Sequence, residues 1–291
     1  MKRFFGSLSN STKLNTGGSL HEKIVLVSGG SRGIGLAIAK RAAKDGAIVI
    51  ILAKTTEGSG NIYEAADEIR DLGGRALPLK VDIRDEDKLR DAIDEVVSVY
   101  GGLDIVINNA SVMTLTKSLE MSADQYDIMN SVNTRGTFLL SKYAAPFLAG
   151  SKNPHILNIC PPLNLDPKWF SQHCAYTISK YGMSMCTIGM SEEFKELRIG
   201  VNALWPKTLI ATAATMNLLG KNQVLAKSRH EDIMAEAAHI ILTNSSKSIT
   251  GQFFIDEDVL KSVGINEFSK YKLNQSTKEQ DLMLNLFVDR K

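Results

Sequence analysis

Short runs of consecutive apolar residues recur along the chain and alternate with stretches of helical periodicity. The runs are rich in β-branched residues and stay apolar at successive positions, which is typical of parallel strands covered on both faces of a sheet. Their alternation with amphipathic helices predicts an α/β fold with an open, doubly wound parallel sheet and helices on both faces. We expect seven strands, at residues 24–27, 47–52, 76–81, 103–107, 155–159, 201–205 and 252–255.

Capping residues predict where several helices begin and end. Asn61 is followed three residues later by a glutamate, and the glycine pair at 73–74 closes the same helix. Ser122, with a glutamine three residues on, predicts the start of a helix that runs to about residue 148. Together the helices and strands predict one domain over residues 22–256.

The two ends of the chain differ from this central domain. Residues 1–21 are basic and serine-rich and contain no acid, which fits either a mitochondrial presequence or a disordered extension. The expected location is therefore mitochondrial, with the cytoplasm and the peroxisome as alternatives. Residues 257–291 combine mixed charge with scattered aromatic residues, which predicts an arm over the core or a partly disordered segment.

Composition excludes several classes of protein. The 291 residues include 34 basic and 32 acidic side chains, and this near-balance argues against a protein that wraps nucleic acid. No apolar run approaches the roughly 18–20 residues that cross a bilayer. The three cysteines have neither the pairing of a disulfide framework nor the spacing of a metal site. We therefore expect a soluble globular protein without nucleic acid, transmembrane segment or metal.

A glycine-rich turn between the first strand and the following helix predicts a phosphate-binding site. Glycines let the backbone approach a ligand, and the helix N-terminus offers unpaired N–H groups and the positive end of its dipole to a pyrophosphate. The alternative is an ordinary strand-to-helix turn. The candidate cofactor-binding residues of the turn are Gly29, Gly30, Ser31, Arg32, Gly33, Ile34 and Gly35.

Residues after the second strand favour NADP(H) over NAD. A site for NAD has an acid there that accepts from the adenosine ribose hydroxyls, whereas this chain has Ala53-Lys54-Thr55. Arg32 and Lys54 could bracket a 2′-phosphate instead, unless Lys54 is a solvated surface lysine. Asp82, after the third strand, is placed to accept from the adenine amino group. Asn109 follows the fourth strand beside the expected crevice, where part of its role is structural.

Tyr176 and Lys180 are the candidate proton-transfer pair. Their spacing of four places both side chains on one face of a helix. An ammonium about 4 Å from a phenol is worth roughly 4 kcal/mol at an effective dielectric constant of about 20. That energy is enough to lower the tyrosine pKa by about three units. Tyr176 would then act as general acid for carbonyl reduction or as general base for alcohol oxidation.

Taken in chain order, these motifs resemble those of the short-chain dehydrogenase/reductase family over residues 22–256. Segments at 155–165, 172–185 and 202–208 are most similar to its hydroxysteroid dehydrogenase-like subgroup, whose longer members carry a sterol-carrier-like domain for which this chain is too short. The five matching places are the glycine turn, Asn108-Asn109-Ala110, Asn133 within Val132–Phe138, Tyr176 with Lys180, and Val201 to Pro206.

The resemblance implies a Rossmann-type subunit that moves a hydride between a nicotinamide and a substrate carbon. It implies that Tyr176 transfers the proton, that Lys180 holds the nicotinamide ribose and acidifies the tyrosine, and that Asn133 holds a water behind the lysine. It also implies assembly into homodimers or homotetramers.

The sequence departs from the family pattern at the serine that normally orients the substrate oxygen. Alignment places Leu163 or Pro161 at this position, and the neighbouring Cys160 is a weak donor. Loss of one such donor costs about 10²–10³ in rate. Lys207 also replaces a glycine of the pattern, and Thr212 is the candidate for contact with the nicotinamide amide.

Two functional hypotheses follow. The first is an NADP(H)-dependent oxidoreductase that interconverts a carbonyl and an alcohol on an apolar, lipid-like substrate, with residues 209–225 as a lid. Apolar residues in this lid and around Trp169 and Phe170 would form the walls of such a site, although both stretches could equally pack in the core or between subunits. The second is a dinucleotide-binding protein with little turnover, acting as a sensor or metabolic regulator, which the missing serine favours.

Overall fold

A single parallel sheet forms the centre of the protein, as predicted. The computed structural model describes residues 14–289, and its seven strands are parallel throughout, in the order β3-β2-β1-β4-β5-β6-β7. The strands are β1 (Ile24–Ser28), β2 (Ile48–Ala53), β3 (Arg75–Lys80), β4 (Ile105–Asn108), β5 (His155–Asn158), β6 (Gly200–Trp205) and β7 (Phe253–Ile255).

The strand order reverses direction between β1 and β4, and this reversal opens a crevice at the carboxyl ends of the strands. Ser28 at the end of β1 is the register partner of Asn108 at the end of β4. The glycine turn after β1 and the polar residues after β4 therefore lie side by side. The fold thus brings two separate sequence motifs to one edge of the sheet.

Helices cover both faces of the sheet and bury alternate residues of each strand. In β1, Val25 and Val27 pack with α1, α2 and α10, whereas Leu26 packs with α3, α5 and α7. The helices are α1 (Gly33–Lys44), α2 (Ile62–Asp71), α3 (Glu86–Tyr100), α4 (Ala123–Asn130), α5 (Gly136–Leu148), α6 (Lys168–Ser171), α7 (Cys174–Glu193), α8 (Ala213–Leu219), α9 (Lys221–Lys227), α10 (Asp232–Thr243) and α11 (Asp256–Ser262). No helix of the described residues is long and apolar enough to cross a membrane.

A π-helical turn, Ser131–Arg135, lies between α4 and α5. The predicted capping residues begin this helical stretch, since Ser122 and Gln125 form a capping box. The π turn itself was not predicted from the sequence. It packs closely on α7, because a Cβ added to Gly182 would lie 2.3 Å from the hydroxyl of Thr134.

Both terminal segments pack on the central domain where the structure describes them. Most of the predicted extension, residues 1–13, lies outside the described residues, and the presequence remains a prediction. Leu14 and Leu20 are buried, and the Asn15 N–H donates to Asn244 Oδ1. The C-terminal arm begins with the helix α11, which the sequence pattern did not predict. Residues 283–285 of the arm then hydrogen-bond with residues 207–209.

Candidate active site

The glycine turn fits a dinucleotide pyrophosphate. Gly29 has a φ of +62°, and a Cβ there would lie 2.9 Å from the Ala110 Cα. A Cβ at Gly35 would lie 2.4 Å from Asn109 Nδ2, an amide that donates to the carbonyl oxygens of Ser28 and Gly29. The first turn of α1 carries no acid, and no side chain caps it. Its N–H groups and dipole are therefore available to an anion.

The other residues of the turn contribute in different ways. Ser31 is buried, whereas Arg32 is exposed and its Cδ lies 3.4 Å from where a Cβ of Gly60 would be. Arg32 therefore packs over the loop that follows β2, the loop that begins with Lys54. Lys54 is exposed, and its charge helps to lower the pKa of Asp82. The glycine turn, the loop after β2 and Asp82 therefore lie close together in space.

Gly30 and Gly33 complete the glycine turn, and Gly33 faces the methyl group of Thr212.

Asp82 is already paired within the protein. Arg84 Nη2 lies 2.7 Å from Asp82 Oδ2, and Arg84 Nε and N–H also donate to the carboxylate. These hydrogen bonds from Arg84 hold the pKa of Asp82 below its usual range. The role of Arg84 was not predicted from the sequence, although a basic residue two positions after a predicted acid could have indicated this pairing.

Tyr176 and Lys180 lie on α7 and line one cavity of about 400 Å³. Ile34 and Asn109 line the same cavity, as do Thr212 and Trp205. Tyr176 is only 4% exposed and Lys180 only 3%. The sequence-predicted catalytic pair therefore lies in the same space as the residues at the dinucleotide turn.

The expectation that Lys180 lowers the pKa of Tyr176 is wrong for the protein's own side chains. Burial raises the pKa of Tyr176, and it lowers the pKa of Lys180 to about 8. The ammonium donates to the carbonyl oxygen of Ile159 (3.0 Å) and lies 5.4 Å from the Trp205 ring centre. Burial is therefore the main cause of both pKa shifts.

Asn133 lies in the π turn with its side chain fully buried. Its Oδ1 accepts from the Val112 N–H (2.7 Å), and its Nδ2 donates to the Val112 carbonyl and to the Ser179 hydroxyl, both at 2.9 Å. Ser179 precedes Lys180 on α7. The Asn133 side chain therefore holds the loop after β4 against α7.

The alternatives to the missing serine lie away from the cavity. Cys160 is buried with Met183 and Ala203, and burial raises the pKa of its thiol. Ser171, the serine that precedes Tyr176 most closely in the sequence, is exposed and donates to the Lys168 carbonyl. Ser111, by contrast, lines the cavity together with Tyr176. No role was predicted for Ser111. Its position directly after the predicted fourth strand could have indicated that it lies at the crevice.

The predicted lid region forms the short helices α8 and α9. Thr212 caps α8 through a capping box with Thr215, and Leu218 of the same helix also lines the cavity. Thr208 is bound differently, since its hydroxyl accepts from Arg229 Nε at 3.1 Å. Of these two threonines, Thr212 is the one that lines the cavity.

The C-terminal arm also reaches this region. Asn285 lines the cavity, and Phe287 is buried to 2% exposure against Tyr176. Neither residue was predicted to lie at the site, because nothing in the local sequence pattern indicates a contact with residues more than 100 positions away. The ring centre of Phe287 lies 5.3–6.3 Å from the ring centres of Trp169, His173, Tyr176, Tyr181 and Trp205.

Comparison with known sequences finds similarity over most of the chain. The sequence model of short chain dehydrogenases matches residues 23–223. The chain is 51% identical over 276 residues to hydroxysteroid dehydrogenase-like protein 2 of Bos taurus, covering 94% of this chain and 65% of the bovine protein. It is 53% identical over 253 residues to the Homo sapiens protein of that name, covering 86% of this chain and 60% of the human protein. The chain therefore spans less than two thirds of the length of these relatives.

Solved structures show the same similarity. A short chain dehydrogenase from Mycobacterium thermoresistibile superposes with a TM-score of 0.87 at 43% identity, covering 93% of this chain and 96% of that one. A short chain dehydrogenase from Burkholderia cenocepacia J2315, solved in complex with NADP, superposes with a TM-score of 0.71 at 28% identity, covering 81% of this chain and 96% of that one.

Proposed function

The chain belongs to the short-chain dehydrogenase/reductase family, and from this premise we propose that it is an NADP(H)-dependent oxidoreductase that interconverts a carbonyl and an alcohol. The observation that carries the proposal is the shared cavity, in which Tyr176 and Lys180 meet Ile34 and Asn109 at the glycine turn. A proton-transfer group and a dinucleotide turn in one cavity are the two parts that hydride transfer to a carbonyl requires.

The protein's own residues bind the cofactor and move the proton. The glycine turn and the N-terminus of α1 hold the pyrophosphate, and the nicotinamide, when bound, supplies or accepts the hydride. Lys180, with a pKa of about 8, is mostly cationic at neutral pH and holds the nicotinamide ribose hydroxyls. Asn133 holds α7 against the loop after β4, and a water beside Asn133 would complete the proton relay.

Burial raises the pKa of Tyr176, so the phenol carries its proton at neutral pH and can donate it to a carbonyl oxygen as the hydride arrives. In the reverse reaction the same oxygen takes up the proton of the alcohol. Ser111 is the hydroxyl of the cavity wall that could orient the substrate oxygen in place of the missing serine.

The substrate of this proposal is apolar and lipid-like, because Met113, Trp205 and Leu218 contribute apolar walls to the cavity. The test is NADPH consumption with fatty aldehydes, ketoacyl thioesters and steroid ketones. Tyr176→Phe should lower kcat by about 10²–10⁴-fold while the Kd for NADPH stays within a few-fold. Tyr271→Phe is the matched control, since Tyr271 is also 4% exposed but packs in the main core.

The alternative is a dinucleotide-binding sensor with little turnover. NADPH binding without turnover on any of these substrate classes, together with no effect of Tyr176→Phe, would favour this alternative over the enzyme.

The preference for NADP(H) rests on Arg32 and Lys54. Lys54→Glu should weaken NADPH binding relative to NADH by about 10–100-fold, because a charge-assisted contact to a 2′-phosphate is worth roughly 1.5–3 kcal/mol. Lys152→Glu, an equal charge change at an exposed residue that precedes β5, is the control. Calorimetric titration with both cofactors measures the ratio, and an unchanged ratio for Lys54→Glu would argue for a solvated lysine.

Two further properties belong to the proposal. Members of this family are typically oligomeric, and we expect a homodimer or homotetramer that sedimentation would identify. We also expect residues 1–21 to direct the chain to mitochondria. Mass spectrometry of the mature N-terminus tests this, and an intact Met1 in purified mitochondria would count against cleavage.

A further inference from the structure

The segment formed by residues 282–289 packs beside the cavity near Tyr176. Asn285 contributes to the cavity wall, and Phe287 packs behind it with its ring stacked at 28° against the ring of Tyr176. The role predicted for residues 257–291, an arm over the core, does not explain why a fully buried aromatic side chain faces the proton-transfer group.

We propose that Phe287 fills the space behind the cavity wall and thereby sets the size of the substrate group that binds beside Tyr176. The inference rests on the proposed function and deepens it, because it predicts which carbonyls are accepted. A substrate with a slender group on this side of its carbonyl fits the site, whereas a phenyl-sized group at the same place collides with the Phe287 ring.

The surroundings of Phe287 are those of an apolar pocket. Its ring lies among other aromatic side chains, with ring centres 5.3 Å away for Tyr181, 5.7 Å for Trp169 and 6.0 Å for Trp205. Removing the ring therefore leaves an apolar, largely aromatic hole against Tyr176. A dry hole of this kind binds a benzene-sized group.

The segment that carries Phe287 is held in place by hydrogen bonds on both sides of this residue. Trp205 Nε1 donates to the Leu286 carbonyl at 2.8 Å, and the Asn285 N–H donates to the Lys207 carbonyl at 3.0 Å. On the other side, Asn164 Nδ2 donates to Asp289 at 2.8 Å. Phe287 itself has a φ of +68°, a conformation that is unfavourable for a residue with a Cβ. The contacts of the ring and the segment hold this strained conformation.

The test compares Phe287→Ala with Phe287→Leu and with the wild type. For a ketone with a phenyl group next to the carbonyl, Phe287→Ala should raise kcat/KM by about 10–100-fold relative to a methyl ketone of similar reactivity. Phe287→Leu should give a smaller change in the same direction. Phe268→Ala removes a buried phenyl group outside this cluster and should leave the substrate preference unchanged.

A second measurement does not depend on turnover. Benzene should raise the Tm of Phe287→Ala and leave that of the wild type unchanged, because only the variant has an apolar hole in this cluster. If the wild type reduces carbonyls and Phe287→Ala keeps the same substrate preference, the proposed role of Phe287 is overturned and the proposed function is not. Absence of a benzene effect on Phe287→Ala also overturns it. A wild type without any turnover overturns the proposed function, and the benzene measurement then decides whether Phe287 fills a ligand-sized pocket.

Discussion

At the scale of single residues, burial controls the protonation of Tyr176 and Lys180. The two residues line one cavity, as their spacing on the chain indicates, but the pKa of Tyr176 is raised, whereas the spacing alone predicts that it is lowered. Phe287 packs against Tyr176, and the Trp205 ring lies beside the Lys180 ammonium. The spacing of the two residues could therefore be read from the sequence, whereas the burial that shifts both pKa values arises only in the folded protein.

The buried ammonium of Lys180 predicts a pH-dependent stability. Its pKa is about 8 in the folded protein against 10.5 for an ordinary lysine, so the unfolded chain binds more protons between these values. Stability should therefore rise with pH across this window, by about 3 kcal/mol from this group. Below pH 8 the cost of burying the charge is present in full.

Lys180→Met removes this titration and isolates its effect. The free energy of unfolding of the variant, relative to the wild type, should be higher at pH 7 than at pH 10, since only the wild type gains from losing the proton. Urea denaturation at the two pH values measures the difference. Equal differences at both would show that Lys180 titrates normally in the folded protein.

At the scale of secondary structure elements, α7, which carries Tyr176 and Lys180, packs on the π turn at Gly182. The absence of a side chain at Gly182 lets α7 approach the turn, where the Thr134 hydroxyl donates to the Ser179 carbonyl at 2.9 Å. Strands and helix caps could be predicted because their signals are local. The π turn could not, because what holds it is this contact with a helix almost 50 residues further along.

Two glycines of α7 provide a matched pair of substitutions. Gly182→Ala should destabilise the protein by about 1–3 kcal/mol, because its Cβ meets the Thr134 side chain. Gly189→Ala is exposed with nothing within 4 Å and should stabilise the protein by up to about 1 kcal/mol through helix propensity. Thermal unfolding measures both, and equal effects would argue against close packing of α7 on the π turn.

At the scale of the whole molecule, Arg229 joins the loop after β6 to the C-terminal arm. Its side chain is 1% exposed, and it donates to Thr208, to the Phe268 carbonyl and to Glu257, and also pairs with Glu279. The fold class, the glycine turn and Tyr176 with Lys180 could be predicted, since each is encoded within a short window. Arg229 and Phe287 could not, since their partners are distant in sequence and carry no periodic signal.

Loss of the Arg229 side chain should destabilise the fold strongly. Arg229→Met leaves buried Glu257 with less positive charge around it, and removal of one partner of a buried pair costs about 3–5 kcal/mol. Arg41→Met is the control, because its pair with Glu236 is partly exposed and should be worth less than about 1 kcal/mol. Chemical denaturation compares the two, and equal losses would show that Arg229 does not hold the arm.

The aromatic cluster around Phe287 has an optical consequence. Trp169 and Trp205 are the two tryptophans of the chain, and both rings lie within 6.0 Å of Phe287. The tryptophan fluorescence of the protein therefore originates entirely within the cluster around Phe287. Reduced nicotinamide absorbs where indole emits, so energy transfer from Trp205 would report cofactor docking, and the emission maximum would report the polarity of whatever molecule enters beside it.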